Sequence, residues 1–491
     1  MKRTFAIALL LTALASTTIA QQPDAEYQLL RHRYTVNNDG TTDYNFRKEI
    51  TLIRNRAITA YADKGETFII YDPRFETLTI NESYTIRPDG SRVATPENAF
   101  VEQLPSQCAD CGRFNDIREL AIIHTALEYN CTIVLDYTIH RSADLVNERL
   151  VLAQDCPVKR YEVEINVPEK YELVANLKRS PYFNATFTEK GDAHSYSLTG
   201  LNLPQNFRAA YLPADDELYP TLTFYNGTPQ FRPEFDNEGL PESMLTVVNL
   251  MQDKPFHTVR SLRNFVADNI HLNNLPPALL GYTHATALQT WESGCGTPTD
   301  RAVLLAAMLR TAGFEATVYG DNYDRVAVTI DTLQYDATPD SKTHRMPIIG
   351  EAHEAVNTKD QSRSITPTFD TLEGGYYRWM VPIEKGCTHM KLDQLAPSRK
   401  APVKVDLCNE HYKYTVDLPK GLKMISPAVE IEEKCDSLGS VSVKIKQSGR
   451  KLTVERSLTL EREVVYGDDY AALRRLLTAW QSHNAVLLKK K

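Results

Sequence analysis

The spacing of the apolar residues changes near Leu240, and this change limits the folds open to the chain. Before it, short apolar–polar alternations are separated by turn sequences, such as NNDG at 37–40 and PDGS at 88–91. Alternation with a period of two residues indicates β-strands with one buried face. Many short strands joined by polar turns predict an all-β sandwich over residues 24–232.

After residue 255 the apolar residues recur at steps of three and four, as on one face of an amphipathic helix. A second helix is predicted from Pro298 to Ala312. Thr297 can cap it, and proline is favourable in a first helical turn. Three strands are expected between residues 316 and 335. Helices followed by a series of strands predict an α+β unit over residues 238–345.

The last third of the sequence returns to strands. Residues 346–375 are polar and predict a connecting segment. Alternating apolar residues and a final amphipathic helix near residues 470–480 then predict a mainly β domain over 376–491. A chain of 491 residues is too long for one hydrophobic core, so a multidomain protein is expected.

The N-terminus has the pattern of a secretory signal peptide. Lys2 and Arg3 precede an apolar run at 5–15, and a small-x-small site ends at Ala20. We therefore expect residues 1–20 to be removed and the mature chain to begin at Gln21. The run is too short for a permanent anchor, no cysteine follows it for lipid attachment, and no later stretch reaches 18 apolar residues. These features predict a periplasmic or secreted protein with no membrane span.

The charge excludes one class of partner. The formal net charge is −8, and no basic stripe is present, so nucleic-acid binding is not expected.

The sequence contains eight cysteines, and an exported chain can form disulfides. Cys108 and Cys111 form a C-x-x-C motif in a polar loop. With no second such pair, the motif favours a local disulfide or two free thiols over a metal site or redox catalysis. The pairing of the other six cysteines stays open.

Several stretches of the sequence follow a pattern seen in known proteins, and they lie at 71–73, 86–91, 120–139, 265–270, 299–316, 469–474 and 487–489. Together they resemble a family of exported bacterial proteins with a transglutaminase-like core. This resemblance implies a papain-like α+β fold for residues 240–345, with a β-sandwich of unknown function before it and a smaller β domain after it.

The resemblance also implies a Cys-His-Asp site, and here the sequence departs from the family pattern. The nucleophile position, four residues before Ala302, is Pro298, and the histidine position is Arg325. Only the acidic position, Asp336, is kept. Proline has neither a thiol nor an N–H for an oxyanion hole, and arginine stays protonated. We therefore predict a pseudoenzyme without catalytic residues, in which Asp336 and Arg325 form an ion pair or a backbone turn satisfies Asp336.

Cys295 gives an alternative, since it lies three residues before Pro298. It could act as a displaced nucleophile with His284 or His344, or it could be a buried or disulfide-linked cysteine. Two hypotheses follow. The first is a non-catalytic envelope protein whose core binds a peptide, glycan or protein partner. The second is an active cysteine peptidase, amidase or transglutaminase. Neither requires a cofactor or a metal.

Overall fold

The structure is a computed structural model that describes residues 23–64, 67–227, 240–320, 323–339, 357–381 and 390–490. In the N-terminal unit the helices are α1 (Asn55–Lys64) and α2 (Asp215–Leu218). The strands of this unit are β1 (Ala25–Val36), β2 (Thr42–Leu52), β3 (Thr67–Tyr71), β4 (Glu76–Ile86), β5 (Arg92–Ala94), β6 (Phe100–Gln103), β7 (Arg118–Ile122), β8 (Thr132–Arg141), β9 (Asn147–Val151), β10 (Val158–Asn166), β11 (Val174–Lys178), β12 (Thr186–Gly191), β13 (Ser195–Leu203) and β14 (Thr221–Tyr225).

The central and C-terminal units follow in the chain. The central unit comprises α3 (Glu242–Leu250), α4 (Pro255–Asn269), β15 (His271–Leu272), α5 (Ala287–Ser293), β16 (Cys295–Gly296), α6 (Pro298–Thr311), β17 (Glu315–Tyr319), β18 (Arg325–Ile330) and β19 (Leu333–Asp336). The C-terminal unit comprises β20 (Asn357–Ser364), β21 (Phe369–Leu372), β22 (Tyr376–Met380), β23 (Val403–Lys404), β24 (Cys408–Asp417), β25 (Leu422–Met424), β26 (Val429–Cys435), β27 (Gly439–Ser448), β28 (Lys451–Leu460), β29 (Val464–Val465), α7 (Asp469–Trp480) and β30 (Ala485–Lys490).

The N-terminal unit is built on an eight-stranded sheet with the order β12-β13-β10-β1-β2-β8-β4-β5. Apolar side chains from this sheet and from the three-stranded sheet β11-β14-β9 form one core, which includes Ile50, Val163 and Phe224. This arrangement confirms the predicted all-β class. Helix α1 was not predicted, because its sequence is short and polar; among its described side chains, Ala57 and Ile58 pack against the core.

A buried histidine makes this unit sensitive to acid. His32 Nδ1 lies 3.0 Å from the Tyr44 hydroxyl, and its Nε2 lies 3.2 Å from the Tyr161 hydroxyl. Burial lowers the pKa of His32 from 6.5 to about 4. Between these two pH values the unfolded chain binds a proton at His32 that the folded chain does not bind. The free energy of unfolding of this unit should therefore fall as the pH falls from about 6.5 towards 4. The loss from this residue should approach about 3 kcal/mol.

The acid dependence can be measured by urea unfolding between pH 7 and pH 4. His32→Gln should flatten the dependence, whereas His140→Gln, which changes an exposed histidine, should preserve it. His124 contributes in the same direction, since burial lowers its pKa to about 3, so part of the dependence should remain. An unchanged slope in His32→Gln would contradict this assignment.

Helix α6 forms the centre of the second unit. Its residues from Thr299 to Leu309 are all buried, and it packs against α3, α4, α5 and the antiparallel sheet β17-β18-β19. The predicted start is present: Thr297 accepts a hydrogen bond from the Asp300 N–H at 3.2 Å, and Pro298 occupies the first turn. This helix and its sheet confirm the predicted α+β core.

The C-terminal unit contains the sheets β20-β24-β28-β27-β26 and β21-β22-β30-β25, with α7 packed on the first. The prediction of a connecting segment at 346–375 is wrong for part of that range, because β20 and β21 are strands of these sheets. Strand β20 pairs with β24 in parallel at the sheet edge. An edge strand hydrogen-bonds to one neighbour and needs no apolar alternation, so its polar sequence gave no strand signal. The limits of the three units remain predictions.

Candidate active site

The three positions that the resemblance assigns to the site lie on three elements of the core. Pro298 is the first residue of α6, Arg325 the first of β18 and Asp336 the last of β19. Strands β18 and β19 are antiparallel, with Ala327 opposite Asp336, and α6 packs against β18. The core thus has the elements that the resemblance implies.

Asp300 organises the start of α6. Its side chain is fully buried, and three donors satisfy its carboxylate. Oδ1 accepts a hydrogen bond from the Ala285 N–H at 2.6 Å. Oδ2 accepts from the Thr297 N–H at 2.9 Å and from Arg113 Nη1 at 2.8 Å. The polar groups at this helix start are therefore engaged in structural bonds.

A loop of the N-terminal unit covers this helix start. Cys111 in the loop forms a disulfide with Cys295, across a sequence separation of 184 residues. Arg113 makes the ion pair with Asp300, and the side-chain amide of Asn273 donates to the Gln107 carbonyl. The loop is thus attached to the core by a covalent bond, an ion pair and a hydrogen bond. We call residues 105–117 the covering loop.

The disulfide corrects the prediction for Cys108 and Cys111, and it bears on the alternative in which Cys295 is a nucleophile. Cys108 is a buried free thiol, so a Cys108–Cys111 disulfide is wrong for this structure, and so is a pair of free thiols. Spacing within the loop could not show that residue 295 folds against it. Cys295 cannot act as a displaced nucleophile while its sulfur is bonded to Cys111. Of its proposed bases, His284 has Nδ1 3.0 Å from the Ala285 carbonyl, and His344 lies outside the described residues.

Asp336 belongs to a turn and acts on a tyrosine that the sequence did not single out. Its Oδ1 accepts a hydrogen bond from the Thr338 N–H at 2.8 Å, as expected for a carboxylate satisfied by the backbone. The pKa of Tyr319 is raised, first by burial and then by the charge of Asp336, while Arg325 opposes the shift. Asp336 and Arg325 thus shift the pKa of Tyr319 in opposite directions. The Asp336–Arg325 ion pair remains a prediction.

A small cavity of about 210 Å³ lies beside the covering loop, between the N-terminal unit and the core. Arg74 in its wall makes a bidentate contact with the buried carboxylate of Asp72, at 2.6 and 3.0 Å. Arg74 and Arg113 each lie over the ring of the following phenylalanine. No sequence pattern indicated this cavity. It is lined by Arg74, Phe75, Arg113, Phe114, Leu280, Thr283 and Gln289.

Metal-binding clusters and membrane-spanning helices were considered for the part of the chain that the structure describes. Within them, no group of three or more histidine, cysteine, aspartate or glutamate side chains is placed to hold a metal ion. Among the helices of the same residues, none has both the length and the apolar character needed to cross a bilayer.

The helices and the sheet of the central unit fit a transglutaminase-like core. Three family models match consecutive parts of the chain. They are the domain of unknown function DUF3857 at residues 38–206, the transglutaminase-like superfamily at 246–344 and the domain of unknown function DUF3858 at 378–488. The chain thus has a transglutaminase-like core between two domains of unknown function.

The chain is also similar to solved structures. A crystal structure of a "putative protease" from Parabacteroides distasonis ATCC 8503 is 26% identical, covers 95% of this chain and 99% of that chain, and has a TM-score of 0.75. An M1 zinc metallopeptidase from Deinococcus radiodurans is 11% identical and covers 59% of this chain and 64% of its own, but its TM-score of 0.19 supports no argument. No curated protein matches the sequence significantly.

Proposed function

We propose that the transglutaminase-like core is non-catalytic and serves as a scaffold. It holds the N-terminal domain and binds a peptide, glycan or protein partner of the cell envelope. One observation supports this most directly: Pro298 occupies the nucleophile position, and the neighbouring groups Cys295 and Asp300 are bonded to the covering loop. In an enzyme of this kind the helix start presents the nucleophile. In this protein the residues around the same helix start form structural bonds to the covering loop.

The chemistry supports the same conclusion. A Cys-His-Asp mechanism requires a thiolate, a base that accepts its proton and donors for the oxyanion. Pro298 supplies neither the thiol nor a backbone N–H, and loss of one oxyanion donor alone costs roughly 2.7–4 kcal/mol of transition-state stabilisation. Arg325 stays protonated and cannot act as the base.

The test is a comparison of the oxidised protein with Cys295→Ala. Peptidase, amidase and glutamine–lysine cross-linking assays should give no turnover above buffer for either protein. Cys435→Ala, which removes a half-buried thiol remote from the core, is the matched control for changes in thiol content. Turnover by the wild type that Cys295→Ala abolishes and Cys435→Ala retains would overturn the proposal. Labelling of Cys295 by an alkylating reagent, without turnover, would not overturn the proposal.

A second candidate function is favoured by the structural match to a "putative protease" over nearly the whole chain. In this alternative the core is an active cysteine peptidase, amidase or transglutaminase that uses Cys295. Because the disulfide blocks that sulfur, activity should appear only after reduction. Turnover by the reduced wild type, lost in both Cys295→Ala and His284→Ala, would establish this alternative.

Export and cleavage form part of the proposal. We propose that the protein is released after Ala20 into the periplasm or the medium, as the leader pattern of residues 1–20 indicates. The Cys111–Cys295 disulfide suits such an oxidising compartment. N-terminal sequencing of protein from a secreting bacterial host should begin at Gln21. A mature protein that retains Met1 would contradict cleavage.

A further inference from the structure

Three cysteines meet in one apolar cluster beneath the covering loop. Cys108, Cys111 and Cys295 are each at most 1% exposed, and Phe114 and Leu279 are among the side chains packed around them. The disulfide joins two of the three sulfurs, and the thiol of Cys108 is free. The cluster thus places a reduced sulfur beside an oxidised pair.

The backbone holds Cys108 and Cys111 on one tight turn. Cys108 ends a short 3₁₀ turn (Ser106–Cys108), and the Cys111 N–H donates a hydrogen bond to the Cys108 carbonyl at 3.1 Å. Two cysteines separated by two residues are a recurrent arrangement for a disulfide that forms and breaks by exchange. Cys111 therefore has two candidate partners, one within its own turn and one in the core.

We propose that Cys108 is a resolving thiol that moves the disulfide from Cys111–Cys295 to Cys108–Cys111. The Cys108 thiol gives its proton to solvent, and its thiolate attacks the Sγ atom of Cys111. A bond forms between these two sulfurs while the Cys111–Cys295 bond breaks. The electron pair leaves on Cys295 Sγ, which then takes a proton. One disulfide is exchanged for another, so no oxidant or reductant is consumed.

Burial keeps the exchange slow in the closed structure. Burial raises the pKa of the Cys108 thiol, and the charge of Glu119 adds to this effect, so the thiolate is scarce until the loop opens. After exchange, the Arg113–Asp300 ion pair and the Asn273–Gln107 hydrogen bond would still connect the loop to the core. The exchange would replace the covalent bond between the two domains by non-covalent contacts. It would also release the thiol of Cys295 just before the start of α6.

The experiment uses the oxidised, full mature chain without added reductant. The protein is incubated with N-ethylmaleimide at pH 8.5 in increasing urea below the unfolding transition, and its disulfides are mapped by mass spectrometry. In the wild type we expect alkylated Cys295 together with a Cys108–Cys111 disulfide. In Cys108→Ser, or in Cys108→Ala should the serine variant fold poorly, alkylation of Cys295 should fall at least tenfold.

The matched control is Cys131→Ser, which alters a buried free thiol outside this cluster and should leave the exchange unchanged. Two outcomes would overturn the proposal. One is alkylation of Cys108 while Cys111–Cys295 stays intact. The other is equal alkylation of Cys295 with and without Cys108. The inference goes beyond the scaffold function, and its failure would leave that function standing, because the turnover assays do not depend on exchange.

Discussion

Removal of the Cys111–Cys295 disulfide is expected to lower the free energy of unfolding by about 2–5 kcal/mol in the oxidised protein. The bond joins residues separated by 184 positions, so it strongly restricts the unfolded chain, and it connects two domains. The double variant Cys111→Ala/Cys295→Ala removes the bond and prevents Cys108 from forming a new one with Cys111. Guanidinium unfolding measures the loss of free energy. Limited proteolysis at the covering loop shows whether the loop has become more accessible.

Reductant separates the effect of the bond from that of the side chains. The wild type should lose stability on reduction, while the double variant should respond less, because it has no Cys111–Cys295 bond for the reductant to break. Cys131→Ala, which truncates a buried free cysteine, should cost only packing energy and retain the response to reductant. A double variant as stable as the oxidised wild type would show that the disulfide contributes nothing to the interface.

The parts of the fold that follow from local chemistry could be predicted from the sequence. The start of α6 is an example: a capping threonine, a proline in the first turn and an aspartate three residues after the cap specify the helix end without any distant contact. The strand alternation in the N-terminal unit is equally local. The degenerate positions Pro298, Arg325 and Asp336 came from the family resemblance rather than from periodicity.

The features that depend on distant residues could not be predicted. Cys111 and Cys295, like Arg113 and Asp300, are close only because the N-terminal domain folds against the core. The C-x-x-C spacing pointed to a local pair instead. Tyr319 gave no signal, since a tyrosine at the end of a short strand is ordinary until Asp336 and Arg325 are brought to it. The sequence shows which residue types a site contains, but the partners of those residues are determined by the tertiary fold.

In the non-catalytic core that we propose, the same positions form a structural junction between two domains. In an active core of this family the helix start presents a thiol to a substrate, as the resemblance implies. Here Pro298 occupies the first turn of the helix, Cys295 bonds to another domain, and Asp300 accepts a hydrogen bond from Arg113 of that domain. The disulfide and the ion pair attach the covering loop to the helix start. The structural role of the helix start should therefore be visible in stability measurements.

Asp300→Ala is expected to produce one of the largest losses of stability, about 3–5 kcal/mol, because it leaves two buried N–H donors unsatisfied at roughly 1–3 kcal/mol each and also removes an ion pair. The substitution leaves the N–H groups of Ala285 and Thr297 without their acceptor and Arg113 without its carboxylate. Because Arg113 belongs to the covering loop, the loop should also become more susceptible to protease. Urea unfolding and limited proteolysis of the oxidised protein measure the two effects.

Asp268→Ala supplies the control, since it removes an exposed carboxylate on α4 and should change stability by no more than about 0.5 kcal/mol. A double-mutant cycle with Arg113→Ala isolates the interdomain part of the effect. If Asp300 mainly holds the loop, the two substitutions should be strongly non-additive, and Arg113→Ala alone should increase proteolysis of the loop. Additive losses would show that Asp300 stabilises only its own helix, and the ion pair would then not be part of the junction.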